Sequence, residues 1–287
     1  CMYLNRSPPW GDRISRREYG MACGQPVQLE RLTNNGVTVV GGEEHGIAFG
    51  FTERTGGVSL PPYASLNLGT HVGDDPQAVV ENRRRALAVL GGEGYLDRLL
   101  VPNQVHGDNV VVVDSADASA LDSVRARIAE GADAIVCTQA RVPVMLCFAD
   151  CVPVILTCPG GFAVVHSGWR GTYARIVASA ARVLSQATCA PIEQVHAYIG
   201  PHILGEEYEV SSDLMHTFAL QFDSIKESAS RKLDLACAIE QSLVEVGVPL
   251  CGIHDTRLST MSLNERFYSY RKEQGMCGRH AALALMR

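Results

Sequence analysis

The chain reads as an α/β (α+β) fold, a layered sandwich of mixed sheets flanked by helices. Three observations predict it. Strand-like and helix-like segments alternate from about Gly36 onward, several apolar runs are continuous as in strands buried on both faces, and no linker-like or low-complexity stretch divides the chain. The expected organisation is a single catalytic domain over residues 36–287. Residues 1–35 are expected to be a poorly structured extension, because Pro8-Pro9, Gly11, Gly20 and Gly24 interrupt any periodic pattern.

Residues 37–40 and 47–51 are predicted strands, since β-branched and aromatic residues lead up to the turn Thr55-Gly56-Gly57. A helix is predicted over 75–90: Ala78, Val79, Leu87 and Leu90 share a face, Asp74 or Asp75 can cap it, Pro76 suits its first turn and Gly91-Gly92 ends it. Residues 109–114 form a β-rich strand. The stretch 142–159 holds two short apolar strands on either side of Ala149-Asp150-Cys151. A strand over 162–165 passes through the turn 167–171 into a helix from Thr172 to about Gln186, with Thr172 as cap and Ile176, Val177, Ala180, Val183 and Leu184 at three- and four-residue intervals. A strand over 195–199 and an amphipathic helix over 233–246 follow.

Composition narrows the function. With 46% hydrophobic and 20% charged residues, the chain has the balance of an ordered globular protein. A net charge of -6 with interspersed signs carries no nucleic-acid footprint, and Arg83-Arg84-Arg85 reads as a solvated helix face. No window approaches the roughly 20 apolar residues of a membrane span, and the first residues lack the apolar segment of a secretory signal. A cytoplasmic monomer acting on small molecules is expected, with no nucleic-acid or membrane partner. The ten cysteines are scattered and never form CxxC, which points to buried free thiols rather than a disulfide framework or zinc ribbon.

Three segments place a metal-ligand side chain at a strand end or beside a glycine: Gln104-Val105-His106-Gly107, Ala149-Asp150-Cys151-Val152 and Val165-His166-Ser167-Gly168. Strand ends hold side chains rigidly with their tips accessible. Two imidazoles and a thiolate form a catalytic zinc set whose fourth tetrahedral position stays open for water, which zinc acidifies to a pKa of about 7. Each residue also has an ordinary reading, a structural histidine or an inert buried thiol, and only tertiary folding can bring His106 to Cys151.

Beside them, Gly168-Trp169-Arg170-Gly171-Thr172 enters a helix, where backbone N–H groups and Arg170 can meet an anion; alternatively Trp169 is core and Arg170 a surface cap. Arg54 and Asn67 lie on glycine-rich loops and are read either as contacts to ribose, base or phosphate or as turn residues. Asp150 is the candidate proton-transfer carboxylate.

The motifs QVHG, ADCVPVIL, VVHSGWRGT, AYIGPHI and FYSYR, in this order, resemble those of the laccase-like multicopper polyphenol oxidoreductase family. Its bacterial members are also called peptidoglycan editing factors and are described as purine nucleoside phosphorylases with adenosine deaminase and methylthioadenosine phosphorylase activity. The similarity runs from about His45 to the C-terminal end. It implies zinc ligands at His106, Cys151 and His166, and a layered fold likened to a bacterial toxin with a Cys-His hydrolase site. It also implies phosphorolysis of adenosine, inosine, guanosine and methylthioadenosine, together with adenosine deamination. Catalytic roles then fall on Asp150, Cys151 and Arg170, and binding of nucleoside and phosphate on Arg54, Asn67, Arg170 and Arg271. Two departures bear on the pocket: Asp255-Thr256 stands where the family usually has Cys-Thr, and Arg271-Lys272-Glu273 where it has Arg-Arg-Asp.

Three other functions compete. A multicopper oxidase needs many imidazoles, usually in His-x-His pairs; this chain has nine histidines and no such pair, although copper could replace zinc on the same ligands. A cysteine hydrolase would use Cys151 as nucleophile and His166 or His106 as base. An editing factor for cell-wall precursors could itself be a hydrolase at the same site.

Overall fold

Strands that carry apolar side chains on both faces need cover on both sides, and four stacked layers provide it. The computed structural model describes residues 26–287. In chain order they form β1 (Glu30–Asn34), β2 (Val37–Glu44), β3 (Ile47–Thr52), α1 (Pro76–Val89), β4 (Val110–Val113), α2 (Ala118–Glu130), β5 (Ala134–Cys137) and β6 (Val144–Phe148). Next come β7 (Val152–Cys158), β8 (Gly161–Ser167), α3 (Trp169–Tyr173), α4 (Ile176–Thr188), β9 (His196–Ile199), α5 (Ser212–Gln221), α6 (Leu235–Glu245), β10 (Ile253–Asp255) and β11 (His280–Met286).

The first sheet has the order β1-β2-β3-β11-β6 and is antiparallel throughout. The second, β10-β9-β7-β8-β5-β4, is mixed: its outer pairs β10–β9 and β4–β5 are parallel and its inner pairs antiparallel. The sheets face each other through Phe49, Phe51, Leu146 and Phe148 on one side and Ile135, Ile155, Phe162, Val164 and Tyr198 on the other, all buried. Alternate residues point outward. Val154, Leu156, Ala163 and Val165 pack under α4 and α6, and Val37, Val39, Met145 and Leu283 pack under α1. This double burial explains why the strands read as continuous apolar runs. The α/β layered class holds, with one sheet antiparallel rather than mixed.

Several local expectations change. The extension expected over 1–35 falls mostly on residues 1–25, outside those described, but its last part forms β1, paired residue for residue with β2 from Glu30↔Gly41 to Asn34↔Val37. Its side chains are mostly exposed, so backbone pairing rather than an apolar pattern makes it a strand, and no periodicity marked it. Asp75, not Asp74, caps α1, its carboxylate accepting from Gln77 N–H at 3.0 Å. The helix expected from Thr172 is two helices, because Arg175 takes a left-handed conformation (φ 61°) between α3 and α4. Thr172 is no cap; its hydroxyl pairs with Ser167 Oγ at 2.8 Å.

Candidate metal centre and its cavity

Cys151 sits where the chain crosses from one sheet to the other, between β6 and β7. The crossing is tight, with Asp150 at φ 87°. His166 lies on β8, directly opposite Pro153 of β7, which brings it beside Cys151. His106 arrives on the loop that leads from α1 into β4, also at positive φ (59°). One ligand atom from each of His106, Cys151 and His166 lies within 4.8 Å of the others, close enough for one cation to reach all three with bonds of about 2.0–2.3 Å after small side-chain adjustments. His166 is buried, Cys151 half-buried and His106 exposed, so the cluster opens to one side.

The residue that organises this cluster escaped sequence reading. Asp133, fully buried immediately before β5, accepts from the backbone N–H groups of Val105 (3.2 Å), His106 (3.0 Å) and Gly107 (2.8 Å), and bonds His166 Nδ1 at 2.7 Å. One carboxylate thus shapes the His106 loop and turns the other nitrogen of His166 toward Cys151. A lone Asp between Ala132 and Ala134, ahead of an apolar strand, was the available signal. Gln104 adds a second anchor, exchanging hydrogen bonds of 2.8 Å with both the N–H and the carbonyl of Cys147.

Burial alone would raise the Cys151 thiol, but the charge of His166 and hydrogen bonds from both imidazoles bring it down to about 6. Burial would lower His166, yet the Cys151 thiolate and Asp133 push it up to about 9. Burial would likewise raise Asp133, and its hydrogen bond to His166 and the loop N–H groups hold it below the usual carboxylate range instead. The electrostatics favour a thiolate, the form a metal or an electrophile requires. Gly168 leaves room for it: a Cβ there would stand 3.1 Å from His106 Cδ2 and 3.2 Å from Cys151 Sγ.

The cluster forms the floor of a cavity of about 840 Å³. Arg83, Arg170, Arg271 and Arg279 line it, as does His71, whose pKa is lowered by burial and by the charges of Arg279 and Arg83. Asp150 is the one acidic residue in this wall, and both its oxygens are engaged, by Thr260 Oγ1 and by Arg271 N–H, each at 2.7 Å. In a chain of net charge -6, four arginines around one cavity give it an electropositive wall. Trp169, Tyr208 and Tyr270 supply aromatic wall, with Arg170 stacked on Trp169 at 4.4 Å and Arg271 over Tyr208 at 5.3 Å.

The sequence-read residues divide accordingly. Asp150, Cys151, Arg170 and Arg271 meet His106 and His166 in the cavity wall. Arg54 and Asn67 do not line it. Arg54 is held by Glu273, Ala64 O and Asn264 O and stacks on Tyr268, which leaves its guanidinium occupied by the protein. Asn67 is fully buried, bonding Gly69, Asp74 and Arg279 N–H; it shapes the edge that carries Gly69, Thr70 and Arg279. Asp255, on β10, also lies outside the wall. Arg83, His71 and Arg279 were missed, Arg83 because an arginine triplet on a helix reads as solvated surface.

The family model described as "Multi-copper polyphenol oxidoreductase laccase" matches residues 48–287. The chain belongs to this family. Within the laccase-like family it is similar to a purine nucleoside phosphorylase of Corynebacterium glutamicum, 35% identical over 81% of this chain and 92% of that protein. A purine nucleoside phosphorylase of Deinococcus radiodurans is 35% identical over 86% of this chain and 92% of its own. Two solved structures share the fold: YlmD of Geobacillus stearothermophilus (TM-score 0.79, 30% identity, 91% and 100% of the two chains) and the Bacillus licheniformis hypothetical protein YfiH (TM-score 0.80, 28% identity, 90% and 98%). Among the described residues no helix is long and apolar enough to cross a membrane.

Proposed function

We propose that this protein is a zinc-dependent enzyme that cleaves purine nucleosides with phosphate. The observation that carries the reading is the convergence of His106, Cys151 and His166 under a cavity rimmed by Arg83, Arg170, Arg271 and Arg279. The names of the relatives supply the substrate class.

The donor set fits zinc: two imidazoles, one oriented through its Nδ1 by a carboxylate, and a thiol already disposed to ionise. When bound there, the metal supplies Lewis acidity and makes a coordinated water acidic near neutral pH. A blue-copper centre would also accept two His and one Cys, but an oxidase needs further copper sites rich in imidazole. The other metal-type cluster among the described residues, Glu44, His45 and His196, has only two imidazoles and lies at the far end of β7.

The four arginines hold the phosphate anion and spread the charge it carries as its oxygen attacks C1′ of the ribose. The C1′–N9 bond breaks, its electron pair passes to the base, and the base takes up a proton, giving ribose 1-phosphate and free purine. Trp169, Tyr208 and Tyr270 offer faces for the base. Asp150, with both oxygens engaged, acts as a positioning residue for Arg271 rather than as the proton carrier expected from the sequence.

Inosine incubated with the protein tests this directly. Hypoxanthine released only with phosphate present, and lost on chelation and in His106→Ala, supports it. Adenosine deamination is proposed as a second activity at the same metal, seen as inosine formation independent of phosphate. One observation favours a different chemistry: a Cys151 thiolate beside a protonated His166 is also a thiol-hydrolase pair. That reading predicts activity that survives chelators and ends with alkylation.

A further inference from the structure

At the opposite end of the sheets from the cavity, a second group of ligand-type side chains meets. Glu44 ends β2, His45 stands in the turn to β3, and His196 opens β9; one ligand atom from each lies within 4.8 Å of the others. Thr157, which contacts Glu44, is six residues along β7 from Cys151, or about 20 Å at roughly 3.3 Å per residue. The two clusters are therefore separate sites.

The carboxylate is fixed before any ligand arrives. Glu44 Oε2 accepts from Thr157 Oγ1 at 2.6 Å and from Tyr198 OH at 2.9 Å, while Oε1 bonds His196 Nδ1 at 2.7 Å. Both side chains are more than nine-tenths buried (8% and 7% exposed). At 2.7 Å the O···N pair is hydrogen-bonded; on a tetrahedral cation with bonds of about 2.0–2.2 Å the two atoms would stand roughly 3.4 Å apart, a small opening of this pair. A simple ion pair would need nothing more, yet an exposed imidazole, His45, stands over it with its ring 6.3 Å from that of His196. Two His and one Glu form a known zinc set with a vertex left for water.

We propose that Glu44, His45 and His196 bind a divalent cation of the zinc class, which ties the first sheet to the second across the ends of β2 and β9. On binding, Glu44 and His196 turn from mutual hydrogen bonding to coordination of the cation. His45 closes the site by a side-chain rotation. This site goes beyond the catalytic reading and does not depend on it.

The test uses Zn²⁺ alone and the full chain. His45 and Gly46 both have positive φ (53° and 75°) in a two-residue hairpin turn, so His45→Gly removes the imidazole from a backbone that glycine prefers and keeps the hairpin. Zinc content after saturation and dialysis is compared in wild type, His45→Gly, Cys151→Ser and the double variant. The expected result is one equivalent lost through His45→Gly in both the wild-type and the Cys151→Ser backgrounds. Zinc should also raise the melting temperature of Cys151→Ser by several degrees but not that of the double variant. A His45→Gly protein that holds as much zinc as its parent in either background, adventitious surface binding included, overturns the proposal.

Discussion

Asp133 holds His166 by Nδ1 at 2.7 Å while its two oxygens also receive three consecutive backbone N–H groups of the loop that bears His106. A single buried carboxylate therefore sets the positions of two of the three candidate ligands. Asp133→Asn keeps the shape but replaces an ionic acceptor with a weaker one and a competing donor. Zinc affinity at the His106–Cys151–His166 site should fall about 10–100-fold. Competition with a chromogenic chelator reads it, and unchanged affinity would show that Asp133 does not orient the ligand.

Gly168→Ala should damage the site without unfolding the protein. The new Cβ would crowd His106 Cδ2 and Cys151 Sγ, while Gly168 itself has an ordinary extended backbone (φ -76°, ψ 178°). Displacing ligands by a few tenths of an ångström should reduce kcat/KM by about 10-fold or more. The melting temperature should move little by comparison; a variant with full activity and normal metal content would count against the geometry.

Arg279 and Arg54 should separate by phenotype. Arg279→Ala removes a guanidinium from the cavity wall and should raise KM for phosphate about 10-fold or more, the worth of a charge-assisted contact. Arg54→Ala strips Glu273 of its partner and bares the carbonyls of Ala64 and Asn264, so it should lower stability and leave KM for phosphate near that of wild type. Steady-state kinetics with inosine and varied phosphate, together with thermal melts, check both.

Glu240 should make the protein less stable as pH rises. Burial, with Asp255 and Asp234 nearby, pushes its carboxyl up to about 7 from an ordinary 4.5. The folded state therefore holds this proton more tightly than the unfolded chain. Its contribution is favourable in comparison below pH 4.5, is lost as pH climbs through 7, and is constant above. Glu240→Gln should melt at the same temperature as wild type near pH 4.5 and a few degrees higher at pH 8, consistent with about 1–3 kcal/mol. Equal melting temperatures at pH 8 would refute the assignment.

Much of this layered fold was legible because both faces of its central strands are buried, which turns β3, β6, β7 and β8 into unbroken apolar runs. Where stability comes from pairing instead, as in the exposed β1, composition carries no mark. The kink at Arg175 was hidden for a related reason: the apolar spacing of α4 continues smoothly while one residue's φ changes sign.

By itself the sequence determined the kinds of ligand present, two imidazoles and a thiol at strand ends, along with the apolar alternation that builds two facing sheets. Only the tertiary structure decided which groups meet. Metal coordination, hydrogen bonding and anion binding all act over a few ångströms, whereas Asp133, Arg83 and Arg279 are far from Cys151 along the chain and come to it only through the sheet order and the loops. The same folding left Arg54 and Asn67 outside the cavity wall, with their polar atoms bonded to Glu273 and Asp74.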